Sequence, residues 1–183
     1  MLKTGDLVFV TATADELAKT IGASTQLNKG KNNLPSYSHV GLIEVTDHGE
    51  KFVLHATSKG GCIRETLSGF KKRVAEHCDF YRLSPRYHFD PSTVLRAAYS
   101  LLGSPYNFSF APTAPGFYCA DFIYTIFPTG IFSLVPMTFG PNHTVLPFWH
   151  DYYQKLAVKI PVAEPGINPN EMLHQVEMFT VFE

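Results

Sequence analysis

One cysteine and two histidines in this sequence have the residue types of a thiol hydrolase. Cys119 lies where a proline-interrupted aromatic loop, 104–118, turns into a short and mostly apolar helix predicted over 119–127. Unpaired backbone N–H groups and the positive end of a helix dipole stabilise a thiolate at such a position. A nearby imidazole would complete the activation of the nucleophile. The residues after Cys119 are apolar, however, so position alone slightly favours a buried structural cysteine.

The two histidines open and close neighbouring predicted strands. If these strands pair antiparallel around the turn at 47–49, residues whose numbers sum to about 95 or 96 lie opposite each other. His39 and His55 sum to 94 and are therefore near neighbours. One can act as general base while the other fixes its tautomer. Three alternatives stay open: ordinary hydrogen-bonded histidines, a one-residue slip that moves His55 to the other face, and a zinc site with Cys119 as third ligand.

The elements that must position these side chains are strands in the first half of the chain. Short segments rich in β-branched and aromatic residues, separated by glycine and aspartate turn signals, predict strands over 7–10, 39–45, 52–56, 62–66 and 78–83. Their short connections favour an antiparallel sheet. Between the first two strands, helical spacing over 13–21 with a Thr13–Glu16 capping box predicts a helix, and the polar residues 22–36 predict an exposed loop.

The best-defined helix follows the strands. Asp90 is a good N-cap, Pro91 suits the first helical position, and Gly103 fits the end of the helix. Its apolar face is formed by Val94, Leu95, Ala98 and Leu102. Beyond residue 128 the chain is broken by proline and glycine, apart from a short helix predicted over 148–157.

Bulk composition indicates one globular domain over 1–183. Of 183 residues, 45% are hydrophobic and 17% charged, and the net charge is -1, which is typical of a folded protein. No basic, aromatic-interleaved motif is present, so we expect no nucleic-acid partner. No apolar stretch approaches the roughly 18 residues that a membrane span needs, and the N-terminus lacks the apolar segment of a signal peptide. Compartment and oligomeric state are left undecided.

The remaining cysteines and charged residues carry no motif. Cys62 and Cys78 fall within predicted strands and are interpreted as inert thiols, since no Cys-x-x-Cys spacing exists. The run of three basic residues at 71–73 is interpreted as a solvated helix face. The histidines without a motif are His48, His77, His88, His143, His150 and His174.

Seven ordered segments resemble one known family. They are TGDLVF at 4–9, SHVGLI at 38–43, VLHA at 53–56, GGCI at 60–63, LSGF at 67–70, GSPYNF at 103–108 and FYCADF at 117–122. Together they resemble the YiiX-like branch of the NlpC-type papain-like cysteine peptidase superfamily, a permuted branch related to lecithin:retinol acyltransferase. The resemblance covers about residues 3–127, and no motif matches over 128–183.

The resemblance implies an α+β fold of the permuted papain-like kind, an antiparallel barrel-like sheet with helices packed at its side. It also implies that Cys119 is the nucleophile, His39 the base and His55 the third polar residue. Many YiiX-like members have glutamate at this third position, whereas the acyltransferase-related members have histidine. Asp121 stands where glutamate is common, and we interpret it as stabilising the start of the helix.

The reaction class that this implies is acyl transfer through a thioester, with no cofactor and no catalytic metal. We expect a small peptide, amide or acyl substrate, with cell-wall-type peptides as one candidate. The alternatives are a lipid-directed acyltransferase or thiol lipase, and a non-catalytic binding module of the same fold. Tyr118, Tyr106 and Ser38 are candidates for the oxyanion site or the substrate cleft, although the two tyrosines also fit as packed aromatics. Cys119 is expected to have a lowered pKa.

Overall fold

Antiparallel strands form the centre of the fold. The structure, a computed structural model, describes residues 1–11, 16–25, 35–74 and 77–183. Its strands are β1 (Leu7–Thr11), β2 (Tyr37–Val45), β3 (Lys51–Thr57), β4 (Gly61–Thr66), β5 (Cys78–Leu83), β6 (Val135–Pro136), β7 (Pro165–Gly166) and β8 (Met178–Val181). Six of them make one sheet in the order β4-β3-β2-β1-β5-β8, and β6 pairs with β7 in a separate ribbon.

Helices cover both faces of this sheet. They are α1 (Glu16–Thr25), α2 (Leu67–Val74), α3 (Pro91–Ser100), α4 (Cys119–Ile126), α5 (Pro147–Leu156) and α6 (Pro169–Gln175), with a single 3₁₀ turn at Pro141–His143. Alternate residues along each strand point to opposite faces. One face packs against α2 through Val8, Val10, Ile43, Val53, Leu67 and Phe70. The other packs against α4 through Leu7, Phe9, Val40, Leu42, Leu54, Ala120, Phe122 and Ile123.

The sheet opens between β2 and β3. These strands pair only from Leu42↔Leu54 to Val45↔Lys51, although β2 begins five residues earlier and β3 runs on to Thr57. The first half of β2 pairs with β1 alone, and the second half of β3 pairs with β4 alone. The free edge of β2 is therefore available to the beginning of α4, whose first residue contacts the Ser38 carbonyl.

Most predicted elements are confirmed. The five strands, the helix at 91–100 and the helix that begins at Cys119 all form, and the Asp90 carboxylate accepts the N–H groups of Ser92 and Thr93 as a cap does. The predicted loop at 22–36 is wrong at its start, because α1 continues to Thr25. The predicted capping residue Thr13 lies outside the described residues, as does the rest of that loop up to residue 34.

The C-terminal third contains helices and strands of which the sequence predicted only α5. There, β8 adds to the sheet edge at β5 and α6 packs near β2. None of the described helices is both long enough and apolar enough to span a membrane.

Candidate active site

Two imidazoles, a carboxylate and a guanidinium form one hydrogen-bonded chain on the α2 side of the sheet. The His39 Nε2 atom lies 2.8 Å from His55 Nδ1, and His55 Nε2 lies 2.9 Å from Glu65 Oε1. The same carboxylate oxygen accepts N–H groups of Arg73 at 2.5 and 3.1 Å. We call this set of four residues the imidazole–carboxylate chain.

The carboxylate fixes which nitrogen of each ring carries the proton. An ionised glutamate can only accept, so His55 donates from Nε2 and must accept at Nδ1. His39 therefore donates from Nε2, which leaves its Nδ1 lone pair free. A neutral imidazole with one free lone pair is the form that a general base requires.

Strand register brings these side chains together. β2 and β3 pair with residue numbers that sum to 96, as in Leu42↔Leu54, so His39 lies diagonally across from His55 on the same face. β3 and β4 pair Val53 with Glu65, which places Glu65 on that face as well. The predicted proximity of the two histidines is confirmed.

Gly41 and Phe70 shape the space around the histidines. A Cβ atom on Gly41 would lie 2.6 Å from Val53 Cγ1 and 3.3 Å from His55 Cβ, so a larger residue would push β3 away. The Phe70 ring of α2 stacks on His39 at 6.2 Å and meets His55 edge-on at 5.3 Å. Both imidazoles therefore have a restricted orientation, and the His55 side chain is fully buried.

Cys119 is the first residue of α4, after Tyr118 as N-cap. Its thiol points at the backbone of β2 on either side of His39: Sγ lies 3.9 Å from the Ser38 carbonyl oxygen, and the Val40 and Ala120 N–H groups face the sulfur. Among the described hydrogen bonds, none joins this sulfur to the His39 ring. The structure thus places the Cys119 thiol against the main chain of β2 on either side of His39.

Burial keeps both groups neutral in this geometry. Burial raises the pKa of the Cys119 thiol to about 11, against the lowering effect of the N–H groups of Val40, Ala120 and Cys119 itself. The pKa of His39 is held well below its ordinary value, first by burial and then by His55 and Arg73. The expected lowering of the Cys119 pKa is therefore wrong here, because loss of solvent outweighs the helix terminus. A neutral thiol needs a proton acceptor before it can act as a nucleophile.

Two clefts meet beside these residues. The Cys119 pocket has a volume of about 610 Å³ including its open mouth, and no charged side chain lines it. Its wall includes Phe110, Val135, Met137, Phe139, Trp149 and Ile167. The His39 pocket, of about 910 Å³ on the same basis, has polar and cationic walls that include Thr57, Ser58, Lys59 and Arg73. Ser38, Tyr106 and Ile21 line both pockets.

Of the three predicted cleft residues, Ser38 and Tyr106 lie at this junction, and Tyr118 lines the Cys119 pocket alone. Tyr106 is partly buried, and its pKa is held well above the usual value by burial and by the neighbouring Cys119. The Tyr118 hydroxyl accepts the N–H of Ile167 at 3.2 Å, and its ring packs against Phe110 with centroids 5.4 Å apart. Ser38 contacts the Cys119 thiol through its carbonyl oxygen. Their roles in catalysis stay predictions.

Two residues of the site were missed or misinterpreted at the level of sequence. Glu65 carries no motif, although alternation along the strand at 62–66 places it on the face of His55. The charge run at 71–73 is a solvated helix face for Lys71 and Lys72, which are exposed. That interpretation is incomplete for Arg73, because its guanidinium pairs with Glu65 despite partial exposure.

The donor set does not fit a zinc site. His39 Nε2 and both ring nitrogens of His55 are committed to hydrogen bonds within the imidazole–carboxylate chain. Within residues 1–11, 16–25, 35–74 and 77–183, no three His, Cys, Asp or Glu side chains converge as a metal ion would require.

Comparisons with known proteins identify the fold and the family of this chain. The fold resembles the crystal structure of the metalloprotein yiiX from Escherichia coli O157:H7, with a TM-score of 0.76 and 19% identity, over 99% of this chain and 97% of that one. At that identity the likeness shows the fold alone. No curated protein sequence matches this chain. A family model described as a permuted papain-like amidase enzyme of the YaeF/YiiX type matches residues 1–182. The chain therefore belongs to the C92 family of permuted papain-like amidases, which are cysteine hydrolases.

Proposed function

We propose that this amidase cleaves its substrate through a thioester on Cys119 and holds an apolar acyl group in the Cys119 pocket. The observation that carries the proposal is the position of Cys119. It begins α4 at the wall of an uncharged pocket and lies against the strand that carries His39.

The first half of the reaction needs a proton acceptor and an oxyanion site. His39 Nδ1 takes the thiol proton while Sγ forms a bond to the carbonyl carbon of the amide. The oxygen of the tetrahedral intermediate accepts from N–H groups in the first turn of α4 that have no acceptor within the helix, among them that of Cys119 itself. Collapse breaks the C–N bond, and His39 passes its proton to the leaving amine.

The second half uses water. His39 removes a proton from a water molecule that attacks the thioester carbon. The C–S bond then breaks to release the carboxylic acid, and the His39 proton passes to the sulfur and restores the free thiol. Throughout both halves His55 keeps the His39 ring in one tautomer and orientation, and Glu65 does the same for His55.

The lining of the Cys119 pocket argues for an apolar acyl group. Burying an unpaired charge there would cost several kcal/mol, so a charged cell-wall-type peptide fits this pocket less well than an alkyl or aromatic chain. An apolar acyl group also suits an acyltransferase, but membership of an amidase family favours water as the acceptor.

The test compares N-octanoyl and N-acetyl p-nitroanilide as substrates. Each buried methylene contributes about 0.8 kcal/mol, so partial burial of the longer chain should raise kcat/KM by roughly tenfold or more. A short reaction quenched in acid should show the octanoyl mass on the peptide that contains Cys119. Cys119→Ala should abolish turnover, whereas Cys62→Ala, which alters a buried thiol on β4, should retain it. Full activity of Cys119→Ala, or acylation elsewhere, would overturn the proposal.

A further inference from the structure

We infer that the leaving group of the substrate is an amine that carries a carboxylate, and that Lys59 binds it in the His39 pocket. This inference rests on the proposed function and specifies the other half of the substrate. The substrate class would then be an N-acyl amino acid with an apolar acyl chain.

The chemistry of the reaction assigns each part of the substrate to one pocket. The acyl carbon bonds to Cys119, which lines only the uncharged pocket. The amine nitrogen must receive its proton from His39, which lines only the polar pocket. The scissile bond therefore lies across the junction at Ser38 and Tyr106, and the leaving group extends into the His39 pocket.

The charges in the His39 pocket select an anion. Its described lining residues include two cations and no carboxylate. Arg73 is already neutralised by two hydrogen bonds to Glu65. Lys59 is exposed and makes no ion pair with a carboxylate of the described residues.

Local backbone structure holds Lys59 beside the site. It lies in the tight turn between β3 and β4, where the Gly60 N–H donates to the Thr57 carbonyl at 3.2 Å and Thr57 pairs with Gly61. β3 carries His55 four residues earlier, so the turn and the imidazole–carboxylate chain belong to one hairpin. A carboxylate near the amide nitrogen would meet Lys59 while the nitrogen faces His39, whereas a cationic leaving group would be repelled.

The experiment uses two substrates that differ in one group, N-octanoyl-L-alanine and N-octanoyl-L-alaninamide. The wild type should favour the carboxylate by about fivefold in kcat/KM, the size of an exposed ion pair, and the preference should shrink in high salt. Lys59→Gln should abolish the preference and Lys59→Glu should reverse it. Lys51→Gln, which removes a lysine at the opposite end of β3, should leave the preference unchanged.

The outcomes separate the two proposals. If the wild type cleaves N-octanoyl p-nitroanilide through Cys119 but shows no carboxylate preference, or one that Lys59→Gln leaves intact, the leaving-group inference is overturned and the proposed function stands. If no N-octanoyl amide is cleaved, the proposed function itself fails.

Discussion

Replacing Glu65 with glutamine tests whether one carboxylate orders both imidazoles. The substitution keeps the size of the side chain but replaces an acceptor-only group with an amide that can also donate to His55. The pKa of Glu65 is lowered to about 2, first by its hydrogen bond with His55 and then by Arg73, so the carboxylate is charged at every working pH. A hydrogen bond to a charged group contributes about 1.5–3 kcal/mol. Since 1.36 kcal/mol is tenfold in rate, kcat should fall by roughly 10- to 100-fold, with little change in KM.

The pH profile separates a positioning role from a structural one. Glu65 raises the pKa of His55 against the effect of burial. Loss of the Glu65 carboxylate should therefore shift the acidic limb of the kcat–pH profile to lower pH and lower the plateau of that profile. Glu44→Gln is the matched control, because Glu44 is a buried carboxylate in the same sheet, 2.7 Å from Arg64 Nε. Glu44→Gln should leave the pH profile of kcat unchanged, whatever its effect on the melting temperature. Wild-type kcat and an unmoved limb in Glu65→Gln would refute the reasoning.

Three further predictions concern the same residues. His55→Glu should keep measurable activity, His55→Ala should lose on the order of 10- to 1,000-fold, and His39→Ala should be worse than either. A single assay, with folding checked by circular dichroism, gives this ranking. A fully active His55→Ala variant would show that His55 has no role in catalysis. Because burial lowers the pKa of His39, the acidic limb of kcat/KM should lie below the ordinary histidine value of about 6.5, and a limb at that value would contradict the buried base. Purified enzyme should hold well under one zinc per chain by elemental analysis and keep its activity in chelator, whereas loss of activity with stoichiometric zinc removal would favour the metal hypothesis.

Register explains why the two histidines could be predicted from sequence. A short turn fixes the sum of paired residue numbers, and alternation then fixes the face, so His39 and His55 follow from local rules alone. The same rule applied to the next hairpin would have predicted the position of Glu65. The pairs Val53↔Glu65 and His55↔Ile63 have the same sum of residue numbers, so Glu65 lies on the face of His55. The position of Cys119 could be predicted for a different reason, because the start of a helix after a proline-rich loop is a local sequence signal.

The substrate pockets could not be predicted in this way. Met137 and Ile167 reach the Cys119 pocket from segments with no periodic pattern, and Trp149 reaches it from α5. The three side chains meet only through tertiary packing. A Cβ atom on Gly166 would overlap the Met137 side chain, a close approach that no local sequence rule reveals. The direction of the Cys119 pKa shift has the same origin, because it depends on how completely the folded chain removes water from the sulfur.

Burial of the proposed base, His39, destabilises its protonated form, and the rest of the imidazole–carboxylate chain offsets part of this effect. Lowering the pKa of His39 keeps it neutral and ready to accept a proton, but it also destabilises the imidazolium that forms when the thiol attacks. The Glu65 charge, reached through His55, offsets part of this cost as the proton arrives. Arg73 holds the pKa of Glu65 low, so the carboxylate remains an acceptor and does not take the proton from His55. In the proposed mechanism, the guanidinium on α2 therefore acts on the thiol chemistry through three intervening groups, although it is itself partly exposed to solvent.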